Sequence, residues 1–204
     1  MHRRVQSLTN LLDAYQGGAY NRVMSVDASN AATQFRAYTE LVRKNGIDDA
    51  VVIETSKVYT APWVRMKCQF GCSGYGETLC CPPHTPTPEQ MRTILDSYAY
   101  GILLHMQWRK DNGATEQFND ALLDLERTIF LDGCYKAWAL GSGPCDRCEK
   151  CNIEGLCVHP DKARPSMEGC GIDVFKTARG QGLPIHVLKS RREERNMYGL
   201  VLIE

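Results

Sequence analysis

The sequence predicts an α/β or α+β fold, in which one mixed β-sheet is covered by helices and carries two cysteine-rich metal loops. Short apolar segments typical of strands alternate with segments of helical periodicity along the 204 residues. A hydrophobic fraction of 43% is sufficient for an ordinary core without disulfide bonds. Eight of the ten cysteines fall within residues 68–81 and 145–157, at the ends of predicted elements.

The N-terminal part is expected to be a helical extension over residues 1–34, because residues 5–16 show an amphipathic pattern. Residues 35–204 are expected to form a single metal-binding domain. No linker, repeat or low-complexity tract interrupts this stretch, and its length suits one hydrophobic core.

The first elements of the domain are predicted from periodicity and turn residues. Apolar residues recur at helical spacing over residues 31–45, and residues 50–55 are typical of a buried strand. Residues 63–87 contain three closely spaced prolines and are predicted to be a loop. Thr87 begins the next helix, because Gln90 three residues later completes a capping box.

The second half of the chain continues the alternation. The clearest helix is predicted over residues 115–131, where Phe118, Leu122, Leu125 and Ile129 recur at helical spacing. A further helix is predicted over residues 167–179. The predicted strands cover residues 100–107, 135–140, 184–188 and 198–203.

The charge and hydropathy patterns exclude several classes of protein. Lys and Arg number 24, as do Asp and Glu, and a net charge of zero argues against a strongly basic nucleic-acid-binding protein. No run of 18 apolar residues is present, so no membrane-spanning helix is expected. The N-terminus lacks the apolar segment of a signal peptide, so a cytoplasmic location with reduced thiols is expected. Ten reduced cysteines then suggest bound metal.

The second cysteine segment has the more specific spacing. Cys145, Cys148 and Cys151 are each separated by two residues, and Cys157 follows. This spacing is typical of [4Fe–4S] loops, because a tight loop can direct three thiolates at three irons while the fourth ligand comes from elsewhere. Zinc is the alternative, although a structural zinc site more often places its second cysteine pair further away.

The first cysteine segment contains Cys68, Cys72 and the adjacent pair Cys80 and Cys81. A second cluster is favoured here, with a zinc site or disulfide chemistry as alternatives. Adjacent cysteines point in different directions in most backbones, so one cluster is not expected to use both. Cys134 is predicted to be a core residue. Cys80 and Cys170 therefore compete for the eighth ligand position.

The motifs around both segments are specific. Residues 67–76 read K-C-Q-F-G-C-S-G-Y-G, residues 81–83 read C-P-P, residues 164–168 read R-P-S-M-E and residues 171–174 read G-I-D-V. Together with the second cysteine segment, these motifs resemble an uncharacterised family of predicted metal-binding proteins. The resemblance implies metal binding, with iron–sulfur favoured, but no reaction. It also implies that one ligand set consists of Cys68, Cys72, Cys81 and Cys170.

Three functions are compatible with these observations. The favoured one is an iron–sulfur protein with two [4Fe–4S] clusters that acts in electron transfer or redox assistance to a partner enzyme. The second is an enzyme whose first cluster has only three protein ligands, so that an open iron acts as a Lewis acid or sulfur acceptor. The third is a zinc-stabilised binding module. A redox partner protein is expected, whereas nucleic acid and membrane are not.

Overall fold

The fold is given by a computed structural model, which describes residues 31–108, 113–190 and 193–204. The helix predicted over residues 5–16, and with it most of the N-terminal extension, lies outside the described residues. None of the helices in the described part is long and apolar enough to cross a membrane.

The helices and strands alternate as the sequence predicts. The helices are α1 (Ala31–Gln34), α2 (Arg36–Lys44), α3 (Pro62–Gly71), α4 (Pro88–Leu95), α5 (Ala114–Leu131) and α6 (Val174–Gly180). The strands are β1 (Asp49–Glu54), β2 (Tyr100–Trp108), β3 (Trp138–Leu140) and β4 (Arg195–Leu202). Short 3-10 turns cover Thr55–Lys57 and Glu168–Cys170.

The four strands form one sheet in the order β1-β2-β4-β3. Each of the three pairs is antiparallel, so the sheet is not the mixture of parallel and antiparallel pairs that was predicted. The predicted fold class, an α/β combination with one sheet, is confirmed. Sequence periodicity identifies strands but not their direction, because direction depends on the connections between them.

Both faces of the sheet are covered. Along β2, Ile102, Leu104 and Met106 belong to one core cluster, whereas Leu103 belongs to the other. This alternation follows from the two-residue period of a strand. The first cluster packs against α2 and α5, and the second packs against α4, α6 and the turn that carries Cys170. β2 is therefore buried on both faces, which explains its nearly continuous apolar sequence.

Several predicted elements are confirmed. Phe118, Leu122, Leu125 and Ile129 of α5 are all buried in the first cluster, as their spacing predicts. The capping box at the start of α4 is present: Gln90 N–H donates to the Thr87 side chain, and the Gln90 side chain accepts from Thr87 N–H. Cys134 packs against the first core cluster, as expected of a core residue.

Three element predictions were wrong. Residues 62–71 form the helix α3, where a loop was predicted from the later prolines. Residues 184–188 form no strand, although their apolar residues suit one, because no strand pairs with them. The helix predicted over residues 167–179 is divided into a 3-10 turn and α6, since Gly171 between them has a φ of 78° that a helix cannot contain.

Truncation of a buried aromatic residue in α5 should destabilise the fold. Phe118→Ala removes a fully buried ring and is expected to lower the free energy of unfolding by about 3–5 kcal/mol in urea denaturation. Phe130→Ala on the same helix is the matched control, because that ring is 53% exposed. Its expected effect is below about 0.5 kcal/mol, and equal losses for the two variants would contradict this packing.

Candidate metal centre

The first two thiols lie at the C-terminal end of α3. Cys68 is in the last turn of this helix, and Cys72 follows it with its N–H donating to Cys68 O at 3.2 Å. A spacing of four residues places both thiols on the same side of the helix end. The two cysteines of the Cys-x3-Cys motif are therefore positioned by the end of a helix, and not by the loop that the sequence predicted.

Cys81 reaches the same place from the other arm of the loop. A Cβ built on Gly74 would lie 3.7 Å from Cys72 Sγ and 3.7 Å from Cys81 Sγ. The two sulfurs therefore flank Gly74, whose own N–H lies 3.4 Å from Cys72 Sγ. The arms are joined by a hydrogen bond from Gly76 N–H to Pro82 O at 2.7 Å. We call Cys68, Cys72 and Cys81 the first thiol set.

The proline-rich arm is fixed by Arg65 and Thr85. The Arg65 guanidinium, on α3, donates to both the hydroxyl and the carbonyl of Thr85 at 3.3 Å. The buried Thr85 hydroxyl in turn donates to Gly169 O. These contacts hold the arm that carries Cys81 between α3 and the turn at residues 168–170.

The second cysteine segment follows β3 and is anchored on α5. Asn119 of α5 accepts a hydrogen bond from Ser142 N–H at 2.9 Å and donates to Ser142 O at 3.1 Å. Arg147 pairs with Asp120 of the same helix at 2.6 Å. The segment that holds Cys145, Cys148, Cys151 and Cys157 is therefore attached to α5 at its beginning.

The far end of this segment is attached by a buried ion pair. Arg164 makes two hydrogen bonds to Glu126 of α5, at 2.6 and 2.8 Å, and both side chains are nearly buried. The guanidinium also lies over the Trp138 ring, 4.4 Å from its centroid. A bidentate pair of this kind fixes the relative orientation of the two side chains as well as the distance between them. These contacts give Arg164 a structural role.

The four thiols of the second segment lie close enough to influence one another. Burial raises the pKa of Cys148, and the charges of Cys151, Cys145 and Cys157 raise it further. Leu79 N–H, from the first loop, points at Cys151 Sγ at 3.4 Å. We call Cys145, Cys148, Cys151 and Cys157 the second thiol set.

Cys80 belongs with the second thiol set. Its thiol lies beside that of Cys145, and the interaction between the two raises the pKa of Cys80 and lowers that of Cys145 to about 6. The backbone N–H of Arg147 also favours the Cys145 thiolate. The adjacent Cys80 and Cys81 therefore face different sets, as expected for neighbouring cysteines. This contact brings the two loops together, and Pro144 Cβ lies 3.5 Å from a Cβ built on Gly74.

Cys170 lies beside the first thiol set but within the core. Its side chain is 1% exposed and belongs to the second core cluster, so burial raises its pKa to about 12. The turn that carries it contacts the first set, since Cys68 Sγ lies 3.9 Å from Glu168 O. The turn is thus adjacent to the set, while the thiol itself packs among apolar residues.

The donor chemistry of the two loops suits a thiolate-bound metal group. Soft thiolates surrounded by N–H and O–H donors are typical of iron–sulfur and zinc sites. The Thr78 hydroxyl is buried in the first loop without a hydrogen-bond partner among the described residues, so it is available to donate to a sulfur. In the described part of the chain, no three His, Cys, Asp or Glu side chains lie together in positions that could hold a single metal ion.

An apolar cleft of about 420 Å³ opens beside the first thiol set. Cys68 and Cys72 form part of its wall, together with Lys67 and Glu168. Glu168 is exposed to solvent at the cleft. The surrounding protein displaces part of the water around its carboxyl, and this desolvation raises the pKa of that group. The sequence did not predict this cleft, because its walls come from segments that are far apart in the chain.

A buried polar network next to the cleft is a second feature that the sequence does not predict. His105 of β2 is 3% exposed and contacts Asp49 Oδ2 through Nδ1 and Asn196 Oδ1 through Nε2, both at 2.8 Å. Tyr198 stacks on the imidazole at a centroid distance of 4.9 Å. His105 is thus a buried histidine with a partner at each ring nitrogen, and these partners could not be identified from the sequence without the strand register.

Comparison with known proteins gives one match. The family model described as Predicted metal-binding protein (DUF2284) matches residues 51–203, a stretch that contains both thiol sets and the cleft. No curated protein and no solved structure matches the chain.

Substitution of Gly74 should reduce the metal content of the first thiol set. A Cβ at this position makes ordinary contacts of 3.5–3.7 Å, so Gly74→Ala should fold, but the methyl group fills the space that Cys72 and Cys81 flank. Metal analysis should show a loss of about half of the bound metal, with the second set retained. Gly71→Ala is the control, because a Cβ there has nothing within 4 Å. Full metal content in Gly74→Ala would show that the group does not lie between these sulfurs.

Proposed function

The chain belongs to the family of predicted metal-binding proteins (DUF2284), and on this premise we propose that it is an iron–sulfur protein with two [4Fe–4S] clusters that transfers electrons to or from a partner protein. The observation that carries the proposal is the contact between the two loops that hold the thiol sets, where Leu79 N–H of the first loop lies 3.4 Å from Cys151 Sγ of the second set.

The second thiol set would hold one cluster through Cys145, Cys148, Cys151 and Cys157. Its spacing is that of a cubane loop, and each thiolate of a [4Fe–4S] cluster binds a separate iron. The first set would hold the other through Cys68, Cys72 and Cys81, with Cys170 as the fourth ligand. These thiols come from a helix end and a separate loop that meet at Gly74.

Bound clusters supply one-electron oxidation and reduction, and the chain supplies their positions and surroundings. Donors directed at the sulfurs favour the reduced, more negative state, and Leu79 N–H is such a donor at Cys151. Leu79 is separated from Cys81 by a single residue, so the first loop would surround both clusters. Two groups in contact through one loop are suited to passing electrons between them.

Charge indicates the kind of partner. The chain itself has a formal net charge of zero. Each [4Fe–4S]²⁺ core with four thiolates carries a charge of about −2, so two clusters would make the protein acidic at the two loops. A redox partner with a basic surface would therefore associate faster at low ionic strength.

The metal content of the protein tests this proposal directly. Anaerobically purified protein is expected to be brown and to contain about eight irons and eight acid-labile sulfides per chain. Cys148→Ser should lower both values by about half, because it removes a ligand of the second set alone. Cys134→Ser is the matched control, because Cys134 packs against the first core cluster and belongs to neither set. A colourless protein that contains zinc alone would overturn the proposal.

A second function is favoured by the cleft. Because Cys68 and Cys72 line it, a molecule in the cleft would reach the first cluster. If Cys170 remains in the core, that cluster has three protein ligands and an iron open to the ligand. An open iron would act as a Lewis acid or accept sulfur, which makes the protein an enzyme.

Replacement of Cys170 distinguishes the two functions. If Cys170 is a ligand, Cys170→Ser should change the visible and electron paramagnetic resonance spectra and lower the iron content. If the first cluster has an open iron, the Cys170→Ser variant should retain the wild-type spectra and iron content. Added cyanide should then change the wild-type spectrum. Cys170→Ala is the matching variant, because it keeps the apolar environment without a possible oxygen ligand. Unchanged spectra in both variants, together with no response to cyanide, would contradict both assignments.

A further inference from the structure

We infer that the Thr78 hydroxyl donates a hydrogen bond to a sulfur of the metal group held by the second thiol set, and that this donor helps to set the reduction potential of the group. The inference deepens the proposed function, because it names a residue that regulates one of the two clusters. It rests on that function for the redox effect, whereas the hydrogen bond itself requires only a metal group bound through sulfur.

The starting observation is the environment of the Thr78 side chain. Among the described residues, its hydroxyl oxygen is the one buried side-chain oxygen or nitrogen without a hydrogen-bond partner. A hydroxyl that is removed from water and gains no partner destabilises the fold, so nearly all buried hydroxyls are paired. The Thr78 hydroxyl therefore indicates a partner that the protein chain does not itself supply.

The fully buried threonines of the same fold follow the usual rule. Thr55 and Thr85 each donate a hydrogen bond to a backbone carbonyl. Thr177 accepts a hydrogen bond from a backbone N–H at 3.1 Å. Thr78 differs from these three residues in its position, because it lies in the first cysteine loop.

Thr78 begins a turn that reaches both thiol sets. Its carbonyl accepts a hydrogen bond from Cys81 N–H at 3.0 Å, so the turn ends at Cys81 of the first set. The N–H of the next residue, Leu79, lies 3.4 Å from Cys151 Sγ of the second set. Because the Leu79 nitrogen is two bonds from Thr78 Cα, this sulfur lies within about 6 Å of that Cα. A metal group bound by Cys151 would therefore lie next to Thr78.

The bound group would bring the acceptor that the hydroxyl lacks. An iron–sulfur cluster contains sulfide ions in addition to the cysteine sulfurs, and both kinds of sulfur accept hydrogen bonds. A threonine hydroxyl hydrogen rotates about the C–O bond to meet an acceptor. Thr78 can thus pair with the group although no protein atom is positioned to accept from it.

This hydrogen bond would favour the reduced state of the second cluster. Reduction by one electron makes the sulfurs more negative, and a donor interacts more strongly with a more negative acceptor. Leu79 N–H acts in the same direction at Cys151. Removal of the Thr78 hydroxyl should therefore lower the reduction potential of the second cluster and leave that of the first cluster unchanged.

The variant Thr78→Val tests the inference in anaerobically purified full-length protein. It removes the hydroxyl, keeps a side chain of similar shape and breaks no hydrogen bond of that hydroxyl to the described residues. At the wild-type midpoint potential, the ratio of reduced to oxidised second cluster should fall about fivefold, which corresponds to a shift of about 40 mV to lower potential. A redox titration followed by electron paramagnetic resonance measures this ratio.

Two further threonine variants serve as controls. Thr78→Ser retains a hydroxyl and should restore the wild-type midpoint potential. Thr93→Val should leave both midpoint potentials unchanged, because the exposed Thr93 hydroxyl donates to Glu89 O on α4. An unchanged midpoint potential in Thr78→Val, or the same shift in Thr78→Ser, would overturn the inference.

The Cys148→Ser background identifies the cluster that Thr78 contacts. This substitution removes a ligand of the second set, so the first cluster is expected to remain. Thr78→Val combined with Cys148→Ser should then have the same midpoint potential as Cys148→Ser alone. A shift of the remaining cluster would place the hydroxyl at the first set and overturn the inference.

Metal analysis of the same samples separates the inference from the proposed function. Full iron and sulfide content with a wild-type midpoint potential in Thr78→Val would overturn the inference and leave the proposed function intact. If the protein contains zinc alone, the proposed function fails, and the rate of zinc transfer to a chelator tests the hydrogen bond. Transfer about tenfold faster from Thr78→Val, but not from Thr78→Ser, would support the inference, and equal rates would overturn it.

Discussion

The turn at residues 166–172 holds both cysteine loops against the sheet, and the candidate centre depends on it. Ser166 bridges to Gly141 where β3 ends, and Ile172 bridges to Thr60 just before α3. The connection between these bridges requires a glycine. Gly171 has a φ of 78°, and a Cβ there would lie 2.5 Å from a Pro88 side-chain carbon. Because this close approach packs the turn against α4, the elements that carry the two thiol sets are fixed relative to one core.

The sequence predicts elements whose stability is local. The apolar repeat of α5 and the capping box of α4 depend on residues three to eleven positions apart, and both are present. The strand predicted over residues 184–188 is absent because strand formation needs a partner, which local pattern does not supply. The helix α3 was not predicted because the prolines near Cys81 suggested a loop over all of residues 63–87. Pro62, which is in the first turn of α3, is a local signal for the start of a helix.

The same distinction applies to the candidate centre. Spacing identified the second thiol set, because its members lie within a single segment. It could not assign Cys80, since only the folded chain shows that the first loop reaches Cys145. The cleft and the Asp49–His105–Asn196 network were inaccessible for the same reason: their residues meet through tertiary contacts alone. Resemblance to a family compensates for this where the family's motifs contain the residues, as for Cys81. The motifs also contain Lys67 and Glu168 of the cleft wall, but they do not indicate that these residues meet.

The sheet register connects the fold to the cleft. His105 pairs with Asp49 on one neighbouring strand and with Tyr198 on the other, so its ring lies between groups from β1 and β4. A shift of one residue in either pair would turn His105 to the opposite face and separate it from Asn196. The buried apolar residues of β2 prevent such a shift, because each would also move to the wrong core. The hydrophobic core therefore fixes the register that brings the Asn196 amide to His105. A polar contact between the two central strands thus depends on the apolar packing further along them.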